Sequence, residues 1–280
     1  MTGGRSDRQV NLPSLEALRA LCEAAGRDIL SVRRGEGHVS YKLDGSPLTA
    51  ADMAAQQRLA DGLPGLLDVP ILSEEQAETP WPVRRHWRCY WLVDPLDGTR
   101  EFVDGFDDFT VNVALIQDGG VVVGMVHAPA LGSTWAGGSG LGAWRWESGA
   151  RESISVSVRS SPSGGSATTD EPPLRILASR AHLDAGTREW LAGFPAARLS
   201  RCGSSVKFCR IAEGTADLYP RFGPTCEWDT AAGQGVLEGA GGAVLCHETG
   251  AALCYNARES LINGPFVACG DVTRLVPTGT

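Results

Sequence analysis

Two aspartates, Asp94 and Asp97, stand three residues apart at the end of an apolar run, and Gly98 and Thr99 follow directly. Pro95 stiffens the turn between them, so both carboxylates can converge on one point, where a hard cation such as Mg²⁺ would offset their repulsion. Gly98 would let the backbone approach a ligand closely, and Thr99 would place a hydroxyl beside the cation. An aspartate-rich turn that caps a helix is the alternative. The spacing therefore predicts either a cation site or a capping turn.

The residues before this pair are expected to form the strand that positions it. Residues 87–93 are rich in aromatic and β-branched side chains, which favours a buried strand. Asp94-Pro95 is expected to end that strand, because proline is excluded from most strand interiors. Both acids would then lie at the carboxyl end of the strand, which is the edge where α/β proteins bind ligands.

Three further acidic stretches could reach the same site. Asp52 follows Thr49 by three residues at the predicted start of a helix, so it either completes a capping box or faces the cation. Glu74 and Glu75 end a short predicted strand, and only one of them can face a shared site, because adjacent strand side chains point to opposite faces. Asp229 opens a later helix, either as its N-cap or as a ligand.

A glycine turn that opens a helix could bind a phosphate or a ribose hydroxyl. Residues 202–207 place Gly203 before Ser204 and Lys207, and the free amides and positive dipole end of such a helix suit an anion. An ordinary N-cap serine and a solvated helix lysine are the alternatives. The glycine-rich stretch 138–142 precedes a strand rather than a helix, so it is not predicted to bind a nucleotide.

The hydrophobic periodicity predicts two kinds of organisation along the chain. Two helices come first and an antiparallel meander follows; strands and helices then alternate, as in α/β proteins. The first helix is predicted over 13–33, and the second helix, which contains Asp52, is predicted to end at about residue 67. The meander strands are predicted over 109–116, over 121–127, around 134–135 and over 143–146. The later elements are predicted as strand 174–178, helix 185–191, strand 198–202, helix 204–213, strand 216–219, helix 229–240 and strand 243–246.

Length and composition bound the class of protein. The 280 residues could form one large domain or two, and a hydrophobic content of 42% is enough for a real core. The formal net charge of -8 argues against a nucleic-acid polymer as partner, because binding to a phosphate backbone needs a basic face. The eight cysteines include no C-x-x-C pair and no zinc spacing with the histidines, so disulfides are not expected.

Nothing in the sequence predicts a membrane-spanning segment. The first thirty residues lack the apolar core of a signal peptide, and no apolar run approaches the ~18 residues of a membrane span. We therefore expect a cytoplasmic protein, with a peripheral position at the inner face of the membrane as the alternative. The oligomeric state is expected to be a monomer or a homodimer.

A change in composition predicts a boundary within the chain. Residues 159–173 are rich in Ser, Gly and Pro and poor in apolar side chains, which is typical of a flexible linker or an insertion. This segment would separate an N-terminal α+β domain, 1–158, from a C-terminal α/β domain, 174–280. Most of the acidic candidates lie in the first domain, whereas Asp229 lies in the second.

Taken in order, the acidic motifs resemble a known family. The chain is similar, over nearly its whole length, to the Mg²⁺-dependent, lithium-sensitive phosphatase superfamily of inositol monophosphatases and bisphosphate nucleotidases. Further segments resemble the bacterial 3'(2'),5'-bisphosphate nucleotidases within it. The resemblance implies a layered αβαβα sandwich, of class α+β or α/β. The acidic motifs are 49–52, 73–75, 94–99 and 228–229, and the further segments are 72–75, 91–102, 203–209, 212–214 and 218–225.

The resemblance also implies roles for the acidic residues. Glu74, Asp94 and the Leu96 carbonyl would bind one Mg²⁺, while Asp94, Asp97 and Asp229 would bind a second. Thr99, together with Glu74 or Asp52, would orient and deprotonate the attacking water. The departures from the family pattern are Arg100, which stands where a lysine is usual, and the insertion at 159–173.

The substrate-binding residues implied by the resemblance come from both halves of the chain. Lys207 and Arg221 are the candidates for a retained second phosphate, and Ser179 and His182 lie in a stretch that resembles the family's substrate pocket. Arg221 as a surface charge and His182 as a helix-capping residue are the alternatives. The whole predicted set is Glu74, Leu96, Asp97, Gly98, Thr99, Ser179, His182, Gly203, Ser204, Ser205, Lys207, Arg221 and Asp229.

The charge of the acidic set suggests a third cation. Two like charges ~4 Å apart repel by about 4 kcal/mol at an effective dielectric constant of ~20, so a group of carboxylates needs counter-charge. Two Mg²⁺ would leave the pocket with one negative charge, and a third would leave one positive charge, which suits a dianionic phosphate ester. We therefore expect two Mg²⁺ and a third, weaker one recruited near Asp52 with the substrate. The acids counted are Asp52, Glu74, Asp94, Asp97 and Asp229.

The resemblance implies hydrolysis of 3'-phosphoadenosine 5'-phosphate to AMP and phosphate, which clears a by-product of sulfate assimilation. An inositol or other sugar monophosphatase with the same metal core is the nearer alternative. A non-catalytic metal or nucleotide sensor is a third hypothesis, from another functional class. The intact Thr99 and acidic set argue against the sensor, because a sensor need not keep a water-orienting hydroxyl.

Overall fold

The computed structural model describes residues 12–34, 39–41, 47–76, 79–157, 172–180 and 183–275. His182, the first ten residues and most of the predicted linker 159–173 lie outside this part of the chain. The helices are α1 (Leu15–Arg34), α2 (Ala50–Leu66), α3 (Trp81–Arg84), α4 (Thr99–Val103), α5 (Ala185–Ala192), α6 (Val206–Ala212) and α7 (Trp228–Gly239). The strands are β1 (Val39–Tyr41), β2 (Pro47–Thr49), β3 (Ile71–Ser73), β4 (Cys89–Asp97), β5 (Thr110–Gln117), β6 (Gly120–Ala128), β7 (Ser133–Gly138), β8 (Gly142–Glu147), β9 (Ala150–Ser153), β10 (Arg175–Ser179), β11 (Arg198–Cys202), β12 (Leu218–Arg221), β13 (Ala243–Cys246) and β14 (Phe266–Cys269).

The first large sheet contains the predicted meander. Its strand order is β3-β4-β5-β6-β7-β8-β9, and β3 and β4 form its parallel pair, whereas the later neighbours are antiparallel. Asp118 (φ 49°) and Gly119 (φ 85°) turn β5 into β6, which is the left-handed pair of a tight hairpin turn. The meander is thus confirmed, and β9 extends it by a strand that the periodicity did not predict.

The central strand is longer than predicted. β4 continues through Asp94 and Pro95 to Asp97, so the expectation that Asp94-Pro95 ends the strand is wrong. Asp94 pairs with Asn112 of β5, and Asp97 pairs with Thr110. Between these two pairs β4 therefore contains one residue more than β5. A proline fits such a β-bulge because the extra residue is unpaired. The bulge within β4, rather than the end of the strand, therefore determines how the two aspartates are placed relative to each other.

The acids after β3 also differ from the prediction. The strand ends at Ser73, and residues Glu74–Gln76 form a 3₁₀ turn. The argument from opposite faces of an extended strand therefore does not apply to Glu74 and Glu75. The turn itself determines which carboxylate faces the site.

Helices α1 and α2 cover one face of the first sheet. Leu18 of α1 and Leu59 of α2 pack in one core with Trp91 and Val93 of β4. Leu92, between those two strand residues, belongs to the core on the opposite face, under α6 and α7. This is the alternation expected of a strand buried on both sides.

The second large sheet has the order β11-β10-β12-β14-β13. β10 lies parallel to β11 and β12, as the predicted alternation requires, but β14 inserts antiparallel between β12 and β13. β14 was not predicted. Phe208 of α6 packs against Tyr219 and Phe266 on one face of this sheet, with ring centroids 5.4 and 6.0 Å apart.

The far face of the second sheet is covered by α5 and the residues just after it. Trp190 of α5 and Phe194, which follows the helix, pack with Ile176 and Leu218. The layers therefore run helix, sheet, helix, sheet, helix. The expected αβαβα sandwich is confirmed.

All eight cysteines lie in the described part of the chain, and each is free. The expectation that the chain contains no disulfide is confirmed. Within the described residues, no helix combines the length and the apolar character needed to cross a lipid bilayer.

Candidate active site

The bulge in β4 organises one side of the site. The Leu96 amide donates to a carboxylate oxygen of Asp94 at 3.0 Å, and the Thr99 hydroxyl donates to the Leu96 carbonyl at 3.2 Å. Gly98 has a φ of 87°, a left-handed conformation that favours glycine, and it lets the chain turn from β4 into α4. Asp94 and Thr99 are thus fixed by one local hydrogen-bonded turn, whereas Asp97 accepts hydrogen bonds from Thr110 and Asn112 of β5.

Three carboxylates from different elements meet beside this turn. Glu74 follows β3, Asp94 lies in β4 and Asp229 lies in the first turn of α7. One oxygen from each lies within 4.8 Å of the others. The expected convergence of distant acids is therefore present for these three.

Asp229 is held in place by the residues around the start of α7. Its carboxylate accepts the Cys226 amide at 2.8 Å, and its backbone carbonyl accepts the Ser205 hydroxyl at 2.9 Å. Asn112 of β5 donates its side-chain amide both to that hydroxyl, at 3.0 Å, and to Asp97, at 3.2 Å. Asn112 therefore connects the acids of the first sheet to the start of α7.

The acidic group is electrostatically unfavourable without counter-charge. Burial, followed by the negative charges of Glu74, Asp97 and Asp229, raises the pKa of Asp94 well above its usual value. Burial and the charges of Asp97 and Glu74 likewise raise the pKa of Asp229. The donor set consists of oxygen ligands, which suit a hard divalent cation such as Mg²⁺. The residues present therefore fit a metal of this kind.

Asp52 and Asp97 lie outside the group of described residues that come within 4.8 Å of one another. Asp52 is buried in the first turn of α2, with an exposed fraction of 4%, and its charge also contributes to the raised pKa of Asp94. Asp97 contributes to the raised pKa of both Asp94 and Asp229. Both side chains therefore lie at the edge of the acidic group.

A cavity of about 480 Å³ opens onto these acids. Both halves of the chain contribute to its wall, so the second sheet faces the metal-ligand candidates across it. The predicted residues that line it are Glu74, Asp97, Gly98, Thr99, Ser179, Ser204, Lys207, Arg221 and Asp229. Other lining residues include Arg100, Glu101, Asp184, Tyr219, Thr225 and Phe266.

The two cationic candidates are held by backbone carbonyls. Lys207 is buried and donates to the carbonyls of Ser204 at 2.6 Å and Cys202 at 3.3 Å. Arg221 donates to the carbonyls of Gly223 at 3.2 Å and of Pro224 at 3.0 Å. The alternatives of a solvated lysine and a surface arginine are wrong, because both side chains are buried in the cavity wall.

Several predicted substrate residues lie behind the wall. The Gly203 amide donates to the Asp108 carboxylate, and the Ser205 hydroxyl supports Asp229. Leu96 is buried, with its carbonyl at the Thr99 hydroxyl. Their direct contact with a substrate stays a prediction, as does that of His182, which lies outside the described residues.

Sequence reasoning missed Asn112 and Glu101. Asn112 interrupts an apolar strand and faces Asp94 across the β4–β5 pair, so a polar residue within that strand was an available signal. Glu101 lies in an acidic stretch that runs on to Asp108, so its residue type did not single it out.

Comparison with known proteins agrees with this geometry. Residues 11–270 match the model of the inositol monophosphatase family. The chain is 44% identical over 256 residues to the 3'(2'),5'-bisphosphate nucleotidase CysQ of Escherichia coli, covering 90% of this chain and 98% of that protein. It is 37% identical to CysQ of Buchnera aphidicola, covering 91% and 92% of the two chains.

Solved structures show the same fold. The crystal structure of CysQ from Bacteroides thetaiotaomicron superposes with a TM-score of 0.77 at 33% identity, covering 90% of this chain and 95% of that one. An inositol monophosphatase of Thermotoga maritima gives a TM-score of 0.72 at 23% identity, covering 91% of each chain. Together with the match over residues 11–270, these similarities show that the chain belongs to the inositol monophosphatase family.

Proposed function

We propose that this chain is a Mg²⁺-dependent 3'(2'),5'-bisphosphate nucleotidase that converts 3'-phosphoadenosine 5'-phosphate into AMP and phosphate. The relatives named CysQ support the substrate class, because the chain spans 98% of the Escherichia coli protein at 44% identity. The structural observation that supports the chemistry is the meeting of Glu74, Asp94 and Asp229, two of which line a cavity that also contains Lys207 and Arg221.

The acidic residues would hold the metal. Glu74, Asp94 and the Leu96 carbonyl are the proposed ligands of one Mg²⁺, and Asp94, Asp97 and Asp229 those of a second. A bound divalent cation would stabilise negative charge on the phosphoryl group and lower the pKa of a coordinated water. Asp52, at the edge of the acidic group, is the proposed contact of a third and weaker Mg²⁺.

Thr99 is the proposed water-orienting residue. Its hydroxyl hydrogen is directed at the Leu96 carbonyl, so its lone pairs are free to accept a hydrogen bond from a water. That hydrogen bond would aim the water oxygen at the phosphorus, and Glu74 or Asp52 would take its proton. The bond from phosphorus to the 3'-oxygen then breaks, and that oxygen takes a proton from solvent.

The cavity wall would bind the rest of the nucleotide. Lys207 and Arg221 are proposed to favour the retained 5'-phosphate, and Ser179 and Ser204 offer hydroxyls in the same wall. The lining carboxylates outnumber the lining cationic side chains, so an anionic ligand depends on metal to enter. The proposed ligand is a small phosphorylated nucleotide rather than a nucleic-acid polymer.

A substrate panel tests the proposal. Phosphate release is measured from 3'-phosphoadenosine 5'-phosphate and from inositol 1-phosphate, with Mg²⁺ and then with added Li⁺. We expect fast, Li⁺-sensitive release from the nucleotide and slow release from the inositol ester. The reverse preference would favour the sugar monophosphatase, and Mg²⁺ binding without turnover of either compound would favour the sensor.

Oligomeric state and location stay predictions. Light scattering of the purified protein would distinguish a monomer from a homodimer. A cytoplasmic location agrees with the free state of all eight cysteines.

A further inference from the structure

Glu101 is a buried carboxylate in the cavity wall that the proposed mechanism does not use. It lies in α4, two residues after Thr99, and its exposed fraction is 6%. Among the described residues, its side chain forms no hydrogen bond or ion pair with another residue. Its own backbone amide and the charge of Lys207 offset only part of the cost of burial, which raises the pKa of Glu101. A buried charge that is only partly compensated is costly, so its position in a binding cavity calls for an explanation.

Two glycines fix where this carboxylate lies. A Cβ atom at Gly203 would come within 2.6 Å of the Glu101 Cγ atom, and a Cβ atom at Gly98 would lie 3.3 Å from the Glu101 Oε2 atom. The side chain is thus clamped between two backbone segments that have no side chains of their own. Packing against these glycines, together with the hydrogen bond from its own backbone amide, holds the carboxylate in place.

Lys207 is a cation whose charge lowers the pKa of Glu101, but the two side chains form no direct ion pair. Lys207 directs its ammonium at the carbonyls of Ser204 and Cys202, at 2.6 and 3.3 Å. Its amine also lies 4.9 Å from the centre of the Tyr219 ring. The oxygens of Glu101 therefore remain available to accept a hydrogen bond from a molecule in the cavity.

The charge and position of Glu101 determine which group of a bound molecule can donate a hydrogen bond to it. A carboxylate repels a second phosphate, so the group beside it must be a neutral or cationic hydrogen-bond donor. The Glu101 Oε2 atom lies beside Gly98, which directly precedes Thr99, and Thr99 and Glu101 line the same cavity. Because Thr99 is the residue proposed to aim the attacking water, that donor must lie next to the scissile phosphate. In a nucleoside 3'-phosphate the donor in that position is the vicinal 2'-hydroxyl of the ribose.

We propose that Glu101 accepts a hydrogen bond from this 2'-hydroxyl and selects ribonucleotides over 2'-deoxyribonucleotides. The inference rests on the proposed bisphosphate nucleotidase activity. Hydrogen bonds to charged groups change the equilibrium by about tenfold to a hundredfold, so discrimination of that size is expected.

The test compares kcat/KM for 3'-phosphoadenosine 5'-phosphate and for its 2'-deoxy analogue. The parent protein is expected to prefer the ribose substrate by about tenfold to a hundredfold. Glu101→Ala is expected to reduce this preference to below about threefold, by lowering the value for the ribose substrate. Glu101→Gln, which keeps one acceptor oxygen and the shape, is expected to give an intermediate ratio.

The ratio separates specificity from folding, because a general loss of structure lowers both values together. If Glu101→Ala does not fold, the Glu101→Gln ratio decides the question. Asp104→Ala, at an exposed position at the end of the same helix, is the matched control and should keep the parent ratio. Equal values for both substrates in the parent, or an unchanged preference in the Glu101 variants, would overturn the inference alone. Release of phosphate from neither substrate would overturn the proposed activity itself.

Discussion

At the scale of single residues, Asp94 is the acid shared by both proposed metal sites. Its carboxylate is buried at 1% exposure and lies within 4.8 Å of Glu74 and Asp229 oxygens. We predict that Asp94→Asn lowers kcat by at least ~10³-fold, equivalent to roughly 4 kcal/mol, because a neutral amide is a poor metal ligand. Phosphate release at saturating Mg²⁺ is the measurement.

A second readout for the same variant does not depend on turnover. Removing one of three crowded negative charges should raise the melting temperature in EDTA, and it should reduce the stabilisation that added Mg²⁺ gives. Near-normal turnover, or an unchanged response of the melting temperature to Mg²⁺, would show that Asp94 is not a metal ligand.

Asp52 tests the number of cations. We predict that Asp52→Asn needs a several-fold higher Mg²⁺ concentration for half-maximal activity, because one negative charge near the third cation is removed. Asp61→Asn, at an exposed position of the same helix, is the control and should titrate like the parent. If both variants saturate at the parent's Mg²⁺ concentration, the third Mg²⁺ does not bind at Asp52.

The acidic residues could be predicted from the sequence, but their supports could not. Glu74, Asp94 and Asp229 stood out by residue type and by their position at the predicted ends of elements, although β4 in fact continues past Asp94. Asn112 connects Asp97 to Ser205 only because β5 pairs with β4 in one register, with a bulge beyond Asp94. The register between two strands depends on contacts between residues that are distant in the sequence, so it cannot be predicted from local periodicity.

At the scale of elements, strand β6 carries a buried histidine beneath α1. His127 shares a 2.9 Å hydrogen bond with the Thr134 hydroxyl of β7, and a Cβ atom at Gly26 of α1 would lie 2.5 Å from its ring. Burial, together with the charges of Arg27 and Arg19, lowers the pKa of His127 to about 4. The folded protein therefore disfavours the protonated ring.

The lowered pKa of His127 in the folded protein determines how stability depends on pH. Between the unfolded pKa of His, about 6.5, and the folded value, the unfolded chain binds the extra proton, so stability is complete above pH 6.5 and falls as the pH drops towards 4. Between pH 7 and pH 4 the free energy of unfolding of the parent should decrease. We predict that the decrease is smaller in His127→Gln, by up to about 3 kcal/mol, because glutamine does not titrate. Denaturant unfolding at each pH measures the free energy of unfolding of both proteins. An equal decrease in the parent and in His127→Gln would show that His127 is not responsible for the pH dependence.

The contact between β6 and α7 depends on a glycine. A Cβ atom at Gly124 would lie 2.2 Å from the Ala232 carbonyl oxygen, whereas one at Gly120 of the same strand would meet its nearest atom at 3.7 Å. We predict that Gly124→Ala destabilises the protein by about 1–3 kcal/mol, and that Gly120→Ala changes stability much less. Equal denaturation midpoints for the two variants would show that α7 can move away from the sheet.

Helices and strands were predicted well where local periodicity decides them, as in α1 and β5. β14 was missed because its place between β12 and β13 follows from pairing across the sheet. β4 was predicted too short, because Pro95 is tolerated in a bulge that the sequence does not reveal.

At the scale of the whole molecule, α7 joins the two halves of the chain. Although it follows the predicted linker, its Ala232 and Val236 lie in the same core as Leu92 and Ala114 of the first sheet. The boundary at 159–173 stays a prediction, but the packing argues that the two halves do not fold independently. A site lined by both halves requires that they stay together.

A fragment tests this. We predict that residues 1–158 alone lack the cooperative unfolding transition of the whole chain, because the α7 face of the first sheet would be exposed to water. Circular dichroism during urea unfolding is the measurement, and a sharp transition in the isolated fragment would show that the first domain is autonomous. Co-expression with residues 174–280 is the control and should restore part of the transition.

The central claim is that acids from separate elements hold a divalent cation that enables phosphate release from a bisphosphorylated nucleotide. The most direct measurement follows 3'-phosphoadenosine 5'-phosphate by ³¹P NMR, first in EDTA and then with Mg²⁺. The account predicts no reaction in EDTA and, with Mg²⁺, loss of the 3'-phosphate signal while the 5'-phosphate of AMP remains. Hydrolysis that proceeds unchanged in EDTA, or loss of the 5'-phosphate instead, would contradict it.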